Sequence, residues 1–229
     1  GAWRDFIVLG IAQGSIYALI ALGYTLVYGI LRMINFAHGE VFMFGAFGAF
    51  FFADAWEASG FLDSNPLLSM GLLLVIAMLT SMGVAVLLER IAYRPLRNAP
   101  RLVPLITAIG ASLFLANTAR GFFGAQSRGF GVPSALEGTW TILGVSVDRI
   151  QVVVLLTVII AVTALSLFVS RTTTGKSMRA VAADSEIASL MGIRVDRVIV
   201  TTFAIGGLLA GIAAVLFSIT FESVGFTMG

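Results

Sequence analysis

The chain has 229 residues, of which 59% are hydrophobic and only 11% are charged, and its formal net charge is +2. Soluble domains carry about 25% charged residues, so this chain has too few charges to cover a surface that faces water. Its few basic residues cluster in loops, which argues against nucleic acid as a partner and favours a membrane with two different sides. The absence of cysteine excludes disulfide bonds and thiolate metal sites.

Five apolar blocks are long enough, or nearly long enough, to cross a membrane as α-helices. A hydrocarbon core of about 30 Å needs about 20 apolar residues in a helix. The blocks cover residues 6–31, 67–88, 102–119, 150–170 and 198–220. We therefore expect an all-α, polytopic membrane protein with about five to six transmembrane helices, forming a single transmembrane domain over residues 1–229.

A sixth apolar block, residues 41–53, is too short to cross the membrane alone. It spans only if residues 36–40 enter the membrane with it, and a re-entrant or broken helix is the alternative. The stretch 35–40 also holds the densest polar cluster near a predicted membrane boundary. It is either a helix start, with Asn35 as the N-cap and Glu40 near the positive end of the dipole, or a helix break beside a translocation path.

The distribution of charge among the loops predicts which side of the membrane each loop occupies. Every Lys and Arg lies outside the five long blocks, and many fall within residues 89–101 and 171–197. Residues 54–66 carry only acidic charges, so the positive-inside rule places the two basic loops in the cytoplasm and residues 54–66 outside. The loop 120–149, predicted to be external, opposes the rule because it contains Arg120, Arg128 and Arg149.

The first and last predicted helices each carry a stripe of small residues. Gly10 and Gly14 lie on the same face of the first helix as Gln13 and Tyr17, at a spacing that lets another helix approach closely. This face either packs against a helix or lines a path for solute, because Gln13 needs a partner or a wet cavity in hydrocarbon. In the last helix, Gly207 and Gly211 form a second small-xxx-small pair, which we expect to pack against a helix of this chain or of a partner.

The loop 171–197 contains a predicted helix with defined ends. Asp184 is the expected N-cap of a helix over residues 185–191, and Gly192 stands where a helix-ending glycine belongs. An apolar stripe follows one side of a helical projection of this loop. This stripe either packs on the underside of the protein or docks into a groove of a cytoplasmic partner. Its members are Ala180, Ala183, Ile187, Leu190 and Met191.

No pattern of catalytic residues accompanies these helices. His38 is the only histidine and no third ligand is evident, so we expect no metal site and no other cofactor. Gly175-Lys176-Ser177 resembles the tail of a phosphate-binding loop, but the preceding glycine is missing, so ATP binding by that device is not expected. An intramembrane enzyme would have only His38 and Glu40 to use, and an ion-coupled carrier only Glu40.

Three parts of the sequence together resemble a known family. Residues 14–25 and 33–40 resemble the amino-terminal signature of branched-chain amino acid ABC transporter permeases. Residues 93–97 and 105–110 match the middle of that family, and residues 179–184 and 188–193 match its cytoplasmic loop. The motifs run across nearly the whole chain in family order, and they match the first of the two permease subtypes.

The resemblance implies a non-enzymatic transport subunit of an importer in the inner membrane of a bacterium or archaeon. Such an importer pairs two permease chains, two cytoplasmic ATPases that hydrolyse ATP, and an external substrate-binding protein. It carries branched-chain amino acids by alternating access; relatives that carry urea or short amides are the alternative. Family members usually continue with further helices, so we expect this chain to be part of a longer permease.

The resemblance and the polar residues of the helices together give two sets of candidate residues. In the family, the element that contacts the ATPase falls in the loop 171–197, although Val181 stands where the general pattern has an acid. The residues expected at the ATPase contact are Arg179, Ala183, Asp184, Ile187, Leu190, Met191 and Gly192. The residues expected along the substrate path are Gln13, Tyr17, Asn35, His38 and Asn117.

Overall fold

A computed structural model describes residues 2–97, 99–100, 102–142 and 145–229 of the chain. The described part is mainly helical, as the apolar blocks predict, and six of its helices are long and apolar enough to cross a membrane. The six are α1 (Ala2–Leu31), α2 (His38–Ala58), α4 (Pro66–Leu88), α5 (Leu102–Phe123), α6 (Arg149–Arg171) and α9 (Val195–Phe221). Three shorter helices connect them, namely α3 (Phe61–Ser64), α7 (Thr173–Ala183) and α8 (Ser185–Leu190).

Helix α2 distinguishes between the two alternatives for the short apolar block 41–53, a spanning helix and a re-entrant or broken one. Residues 41–53 lie inside one continuous helix of 21 residues, which is about 32 Å long at a rise of about 1.5 Å per residue. The structure therefore favours the spanning alternative over a break within this block. The predicted N-cap was wrong, because Ala37 occupies that position. Asn35 instead closes the preceding turn, where its side-chain oxygen accepts a hydrogen bond from the backbone N–H of Ala37.

Helix α4 continues beyond the end of its apolar block. A π-helical turn (Glu89–Tyr93) and a 3₁₀ turn (Arg94–Leu96) extend it into residues that the sequence assigns to a loop. Together these segments form one helical span from Pro66 to Leu96. The basic residues Arg90 and Arg94 are therefore held on a helix, in a fixed orientation relative to the membrane-spanning part.

The core of the bundle is built from α2 and α9, with α1 and α4 packed against them. Gly207 and Gly211 lie at the contact of α9 with α4, where a Cβ on Gly207 would be 2.8 Å from the Cα of Met82. A Cβ on Gly211 would lie 2.7 Å from the Cα of Met78. Small residues permit this backbone approach, which in lipid gains van der Waals contact where the hydrophobic effect between helices is absent.

One end of the bundle, which we call the basic end, gathers residues 32–37, 89–97, 99–100 and 171–197. Arg32 donates hydrogen bonds to the carbonyl oxygens of Ala182 and Ala183, at 3.2 and 3.1 Å. Arg97 pairs with Asp196, which joins the end of the α4 extension to the start of α9. The two loops that the positive-inside rule assigns to one side thus lie at the same end of the structure.

The opposite end, which we call the hairpin end, gathers residues 59–65, 124–142, 145–148 and 222–225. Strands β2 (Thr139–Ile142) and β3 (Val145–Asp148) form an antiparallel hairpin, and β1 (Arg128–Gly129) pairs with β4 (Ser223–Val224). The backbone N–H of Ser134 donates to Asp63, and this hydrogen bond lowers the pKa of the Asp63 carboxyl.

The arginines of residues 120–149 have local roles that explain their departure from the charge rule. Arg128 donates to the carbonyl oxygen of Phe123 at 2.8 Å, and Arg149 donates to that of Ala135 at 3.0 Å. The Arg120 guanidinium lies over the Phe226 ring. Arg128 and Arg149 thus tie loop residues to the ends of α5 and α6, and Arg120 contacts the segment that follows α9, so each positive charge has a structural use.

Candidate functional site

Helix α8 forms as the sequence predicts, with both of its ends defined. The Asp184 carboxylate accepts hydrogen bonds from the backbone N–H groups of Glu186 and Ile187, at 2.9 and 3.0 Å. The helix ends where Gly192 adopts a φ of 84°, and the N–H of Ile193 then bonds back to the carbonyl oxygen of Ala188. This is a glycine-terminated C-cap, which fixes the direction in which the short helix presents its side chains.

Helix α8 exposes large apolar side chains, which are unusual on a helix that faces water. Ile187 is 59% exposed, Leu190 is 83% exposed and Met191 is 78% exposed. Ala188 points the other way and is buried with Met178 of α7. The small apolar cluster beneath α8 therefore holds it against the bundle, while three larger apolar residues face outward.

The other residues of the predicted coupling stripe serve to attach the segment. Asp184 breaks the helix, with φ of −156° and ψ of 111°, so α7 and α8 do not form the continuous helix that the projection assumed. Ala180 is half-buried against the bundle, and Arg179 donates to the carbonyl oxygen of Val169 at 2.8 Å. The side chain of Ala183 is exposed, and its carbonyl oxygen receives Arg32.

The Gly175-Lys176-Ser177 sequence has a packing explanation. Gly175 lies in the first turn of α7, where a Cβ would be 2.6 Å from the Cα of Val169. Its backbone N–H is bonded to the Thr172 hydroxyl, which caps α7. The glycine is required by the close approach of α7 to the end of α6.

The face of α1 that carries Gly10 and Gly14 is open along the outer half of the helix. A Cβ at either glycine would meet no atom within 4 Å, and Tyr17 is more than half exposed. One edge of the Tyr17 ring faces the Phe217 ring of α9, with centroids 6.5 Å apart. The buried face of α1 is a different one, formed by Ala12, Ile16 and Leu19. Within the described residues, the small-residue face of α1 thus has room for another helix or for solute.

Gln13 lies beside a cavity of about 350 Å³ at the hairpin end. Its wall combines amide, carboxylate and apolar side chains from α1, α6, α9 and the hairpin. Gln151 is buried there and exchanges hydrogen bonds with Asp148, which caps the start of α6. The sequence predicts that the Gln13 amide needs a polar environment, and this cavity provides one close to the bundle surface.

Asn35 and His38 lie together at the start of α2, in contact with several helices. Asn35 Oδ1 accepts a hydrogen bond of 2.7 Å from the buried Tyr93 hydroxyl. The His38 ring packs against α1, where its Nε2 lies 3.0 Å from a Cβ built on Gly23. Glu40 turns to the other side, and its Oε1 accepts a hydrogen bond of 2.7 Å from Ser112 of α5. In the described ranges, no three His, Asp or Glu residues come close enough to hold a metal ion.

Asn117 lies apart from the other predicted path residues. It is exposed on α5, and its side-chain nitrogen donates to the carbonyl oxygen of Leu113 in its own helix. The structure therefore brings Asn35 and His38 together, places Gln13 and Tyr17 along the outer half of α1, and leaves Asn117 alone.

An ionic cluster at the basic end was missed by the sequence analysis. Arg97 pairs with Glu89, whose side chain is 0% exposed, and also with Asp196 in the first turn of α9. Arg94 lies 3.7 Å from the other oxygen of Asp196. One signal in the sequence was available: Glu89 is an acid that directly follows the apolar block 67–88. It indicated that the helix continues past residue 88, and only such a continuation brings Glu89 and Arg97 together.

Six helices long and apolar enough to cross a membrane define a polytopic membrane protein, and an exposed apolar helix lies at its basic end. The sequence profile of the family described as branched-chain amino acid transport system / permease component matches residues 6–229. The chain belongs to this family, and it is a membrane permease component rather than an enzyme.

Curated relatives support the same assignment. The high-affinity branched-chain amino acid transport system permease protein LivH of Salmonella typhimurium is 42% identical over 212 residues, which cover 90% of this chain and 68% of LivH. LivH of Escherichia coli K12 shows the same identity and coverage. The permease protein BraD of Pseudomonas aeruginosa is 39% identical over an alignment of 232 positions, which covers 97% of this chain and 74% of BraD. No solved structure matches the chain.

Proposed function

We propose that the chain is a transmembrane subunit of an ATP-driven importer of branched-chain amino acids, and that α8 is its contact with the ATPase. The observation that carries this proposal is the outward exposure of Ile187, Leu190 and Met191 on a short helix with defined caps. An exposed apolar helix face is suited to a groove on a partner protein. The names of the relatives support the substrate class.

The proposed assembly contains a second permease subunit, two ATPases and an external substrate-binding protein. In it the basic end lies in the cytoplasm of a bacterial or archaeal cell and the hairpin end lies outside, in accord with the distribution of Lys and Arg. ATP binding on the ATPase pair moves α8, and the membrane helices rock between two arrangements.

The proposed substrate path runs between the two permease chains along the open face of α1. Gly10, Gly14 and Tyr17 give this face small and aromatic surfaces that suit an aliphatic side chain, and Gln13 offers a polar contact for the zwitterion. Asn35 and His38 lie deeper, at the start of α2, and are the inner candidates. Asn117 is a weaker candidate because its side chain is bonded to its own helix.

Co-purification with the ATPase tests the docking role. Ile187→Asp and Leu190→Asp each place a charge in the exposed apolar patch, and we expect each to reduce the recovery of ATPase on the permease at least about tenfold. Ser189→Asp is the matched control, because Ser189 is exposed on the opposite side of α8 and should bind as the wild type does. Recovery that is unchanged in both patch variants would show that α8 is not the docking element.

A further inference from the structure

Arg97 joins three segments of the chain at the basic end. It lies in the turn that follows the α4 extension, and it binds the carboxylates of Glu89 and Asp196. Glu89 belongs to the π-helical turn of α4, and Asp196 belongs to the first turn of α9. The side chain of Arg97 is only 15% exposed and that of Glu89 is 0% exposed, so this ion pair is screened less than a surface pair would be.

The burial of Glu89 makes this junction difficult to open. A carboxylate with no exposed surface is strongly destabilising if it loses its cationic partner, since the charge is then left uncompensated. Arg97 therefore cannot leave Glu89 without a large cost, whereas Asp196 is more than half exposed and can be reached from the surface. The firm half of the junction lies in α4, and the accessible half lies in α9.

Asp196 is close in sequence to the proposed docking helix. Helix α8 ends at Leu190, Gly192 terminates it, and α9 begins at Val195. Only residues 191–194 lie between the two helices, so we expect a displacement of α8 to shift the first turn of α9. A push on α8 therefore acts on Asp196 and, through Asp196, on Arg97.

From Glu89 the contacts continue to the start of α2. Tyr93 ends the π-helical turn, is buried, and stacks obliquely on Phe203 of α9 with ring centroids 5.4 Å apart. Its hydroxyl donates to Asn35 Oδ1, and the backbone oxygen of Asn35 accepts from the N–H of His38, the first residue of α2. Single π-helical turns often mark functional sites in α-helices. A continuous set of polar and aromatic contacts thus runs from the first turn of α9 to the first turn of α2.

We propose that Arg97 is a positioning residue for transport, because it holds Glu89 and Asp196 as one unit and so transmits the displacement of α8 to the start of α2. This inference rests on the proposed contact of α8 with the ATPase. It predicts that loss of the ion pairs separates ATPase binding from ATPase regulation: the complex still assembles, but movement at α8 no longer reaches the membrane helices.

The test uses the assembled transporter in lipid vesicles, with its ATPases, second permease and binding protein. Asp196→Ala is the first variant, because Asp196 is exposed and its loss leaves Glu89 paired. Glu89→Gln with Arg97→Gln is the second, because it removes both buried charges together. For each of these two variants, we expect the recovery of ATPase on the permease to match the wild type. We expect the stimulation of ATP hydrolysis by substrate-loaded binding protein to fall at least about fivefold.

Two further comparisons make the result specific. Arg90→Gln, an exposed charge on the same helical extension, is the control and should keep the full stimulation. If the cluster acts as a unit, Asp196→Ala added to the Glu89→Gln, Arg97→Gln pair should have no further effect, since neighbouring residues in one network are not additive.

The proposal is overturned if Asp196→Ala retains wild-type stimulation. It is also overturned if Asp196→Ala loses ATPase recovery as strongly as Ile187→Asp does, because the cluster would then support docking and not transmission. A wrong assignment of the docking helix gives a different pattern, in which Ile187→Asp and Leu190→Asp bind the ATPase normally. If the doubly substituted chain fails to assemble, Asp196→Ala alone decides the outcome.

Discussion

At the residue scale, the buried hydroxyl of Tyr93 provides a test of the polar contacts at the start of α2. Tyr93→Phe removes the donor to Asn35 Oδ1, while that oxygen keeps its hydrogen bond from Ala37. We expect the free energy of unfolding to fall by about 1 kcal/mol, the usual net contribution of one such bond. Unfolding in mixed micelles measures this value. Tyr28→Phe, at a half-exposed position, is the control, and equal effects of the two changes would contradict the account.

The hydrogen bond between Asp63 and Ser134 predicts a local dependence on pH. The pKa of Asp63 is lowered in the folded protein by the Ser134 backbone N–H and hydroxyl. The contact is therefore fully present above the ordinary pKa of Asp63 and is lost as the pH falls through the lowered value. Amide exchange at Ser134 should show constant protection from neutral pH down to about 5 and a loss below the lowered pKa. In Asp63→Asn this acid-dependent loss should be absent.

Local residue patterns predicted some of these contacts and not others. The capping of α8 by Asp184 involves neighbours two and three residues away, so the sequence alone determined it. The pairing of Arg97 with Asp196 joins residues 99 positions apart, and no local pattern contains that information. His38 was correctly marked as a residue near the helix start, but its position against Gly23 depends on how α2 packs on α1.

At the element scale, the contact of α4 with α9 predicts opposite effects for two glycines. Gly211→Ala places a methyl group against the backbone of α4, which cannot move as a flexible side chain would, so we expect a loss of about 1–3 kcal/mol. Gly10→Ala meets no atom within 4 Å and should be neutral or slightly stabilising, because alanine favours a helix. Unfolding in mixed micelles measures both, and equal losses would show that the two helices do not pack in this way.

The open face of α1 predicts a defect in association without a defect in folding. Gly14→Leu should leave the free energy of unfolding of this chain within about 0.5 kcal/mol, because the site is exposed. It should reduce recovery of the second permease subunit, since a large side chain blocks the close approach that two small residues allow. Co-purification measures this recovery. Normal recovery with Gly14→Leu would place the partner elsewhere.

The lengths of the apolar blocks predicted the membrane-spanning elements well, and their ends less well. Each long block became a helix because a backbone in hydrocarbon must satisfy its own hydrogen bonds. Helix α4 extends to Leu96 because its polar turns are stabilised by contacts such as the pair of Glu89 with Arg97, which a count of apolar residues does not detect. The stripe of Gly207 and Gly211 indicated close packing, but only the fold identifies α4 as the neighbour.

At the scale of the whole molecule, the two ends of the bundle differ in the chemistry that they present. The basic end carries the ionic cluster and the exposed apolar face of α8, and the hairpin end carries Asp63, the strands and three arginines bound to local groups. The sequence predicted this division through its loop charges, apart from the loop 120–149. That loop misled the charge rule because its arginines are used in contacts with carbonyl groups and aromatic rings.

The sidedness of these two ends is the central claim, and labelling of single cysteines tests it directly. The chain contains no native cysteine, so an introduced thiol is the only reactive one. Ser189→Cys lies on α8 outside the apolar patch, and Ser146→Cys lies in the hairpin; both serines are exposed. In intact cells, a membrane-impermeant maleimide should label Ser146→Cys at once and label Ser189→Cys only after the membrane is opened. Labelling of Ser189→Cys from outside would contradict both the docking of α8 to an ATPase and the transport scheme that follows from it.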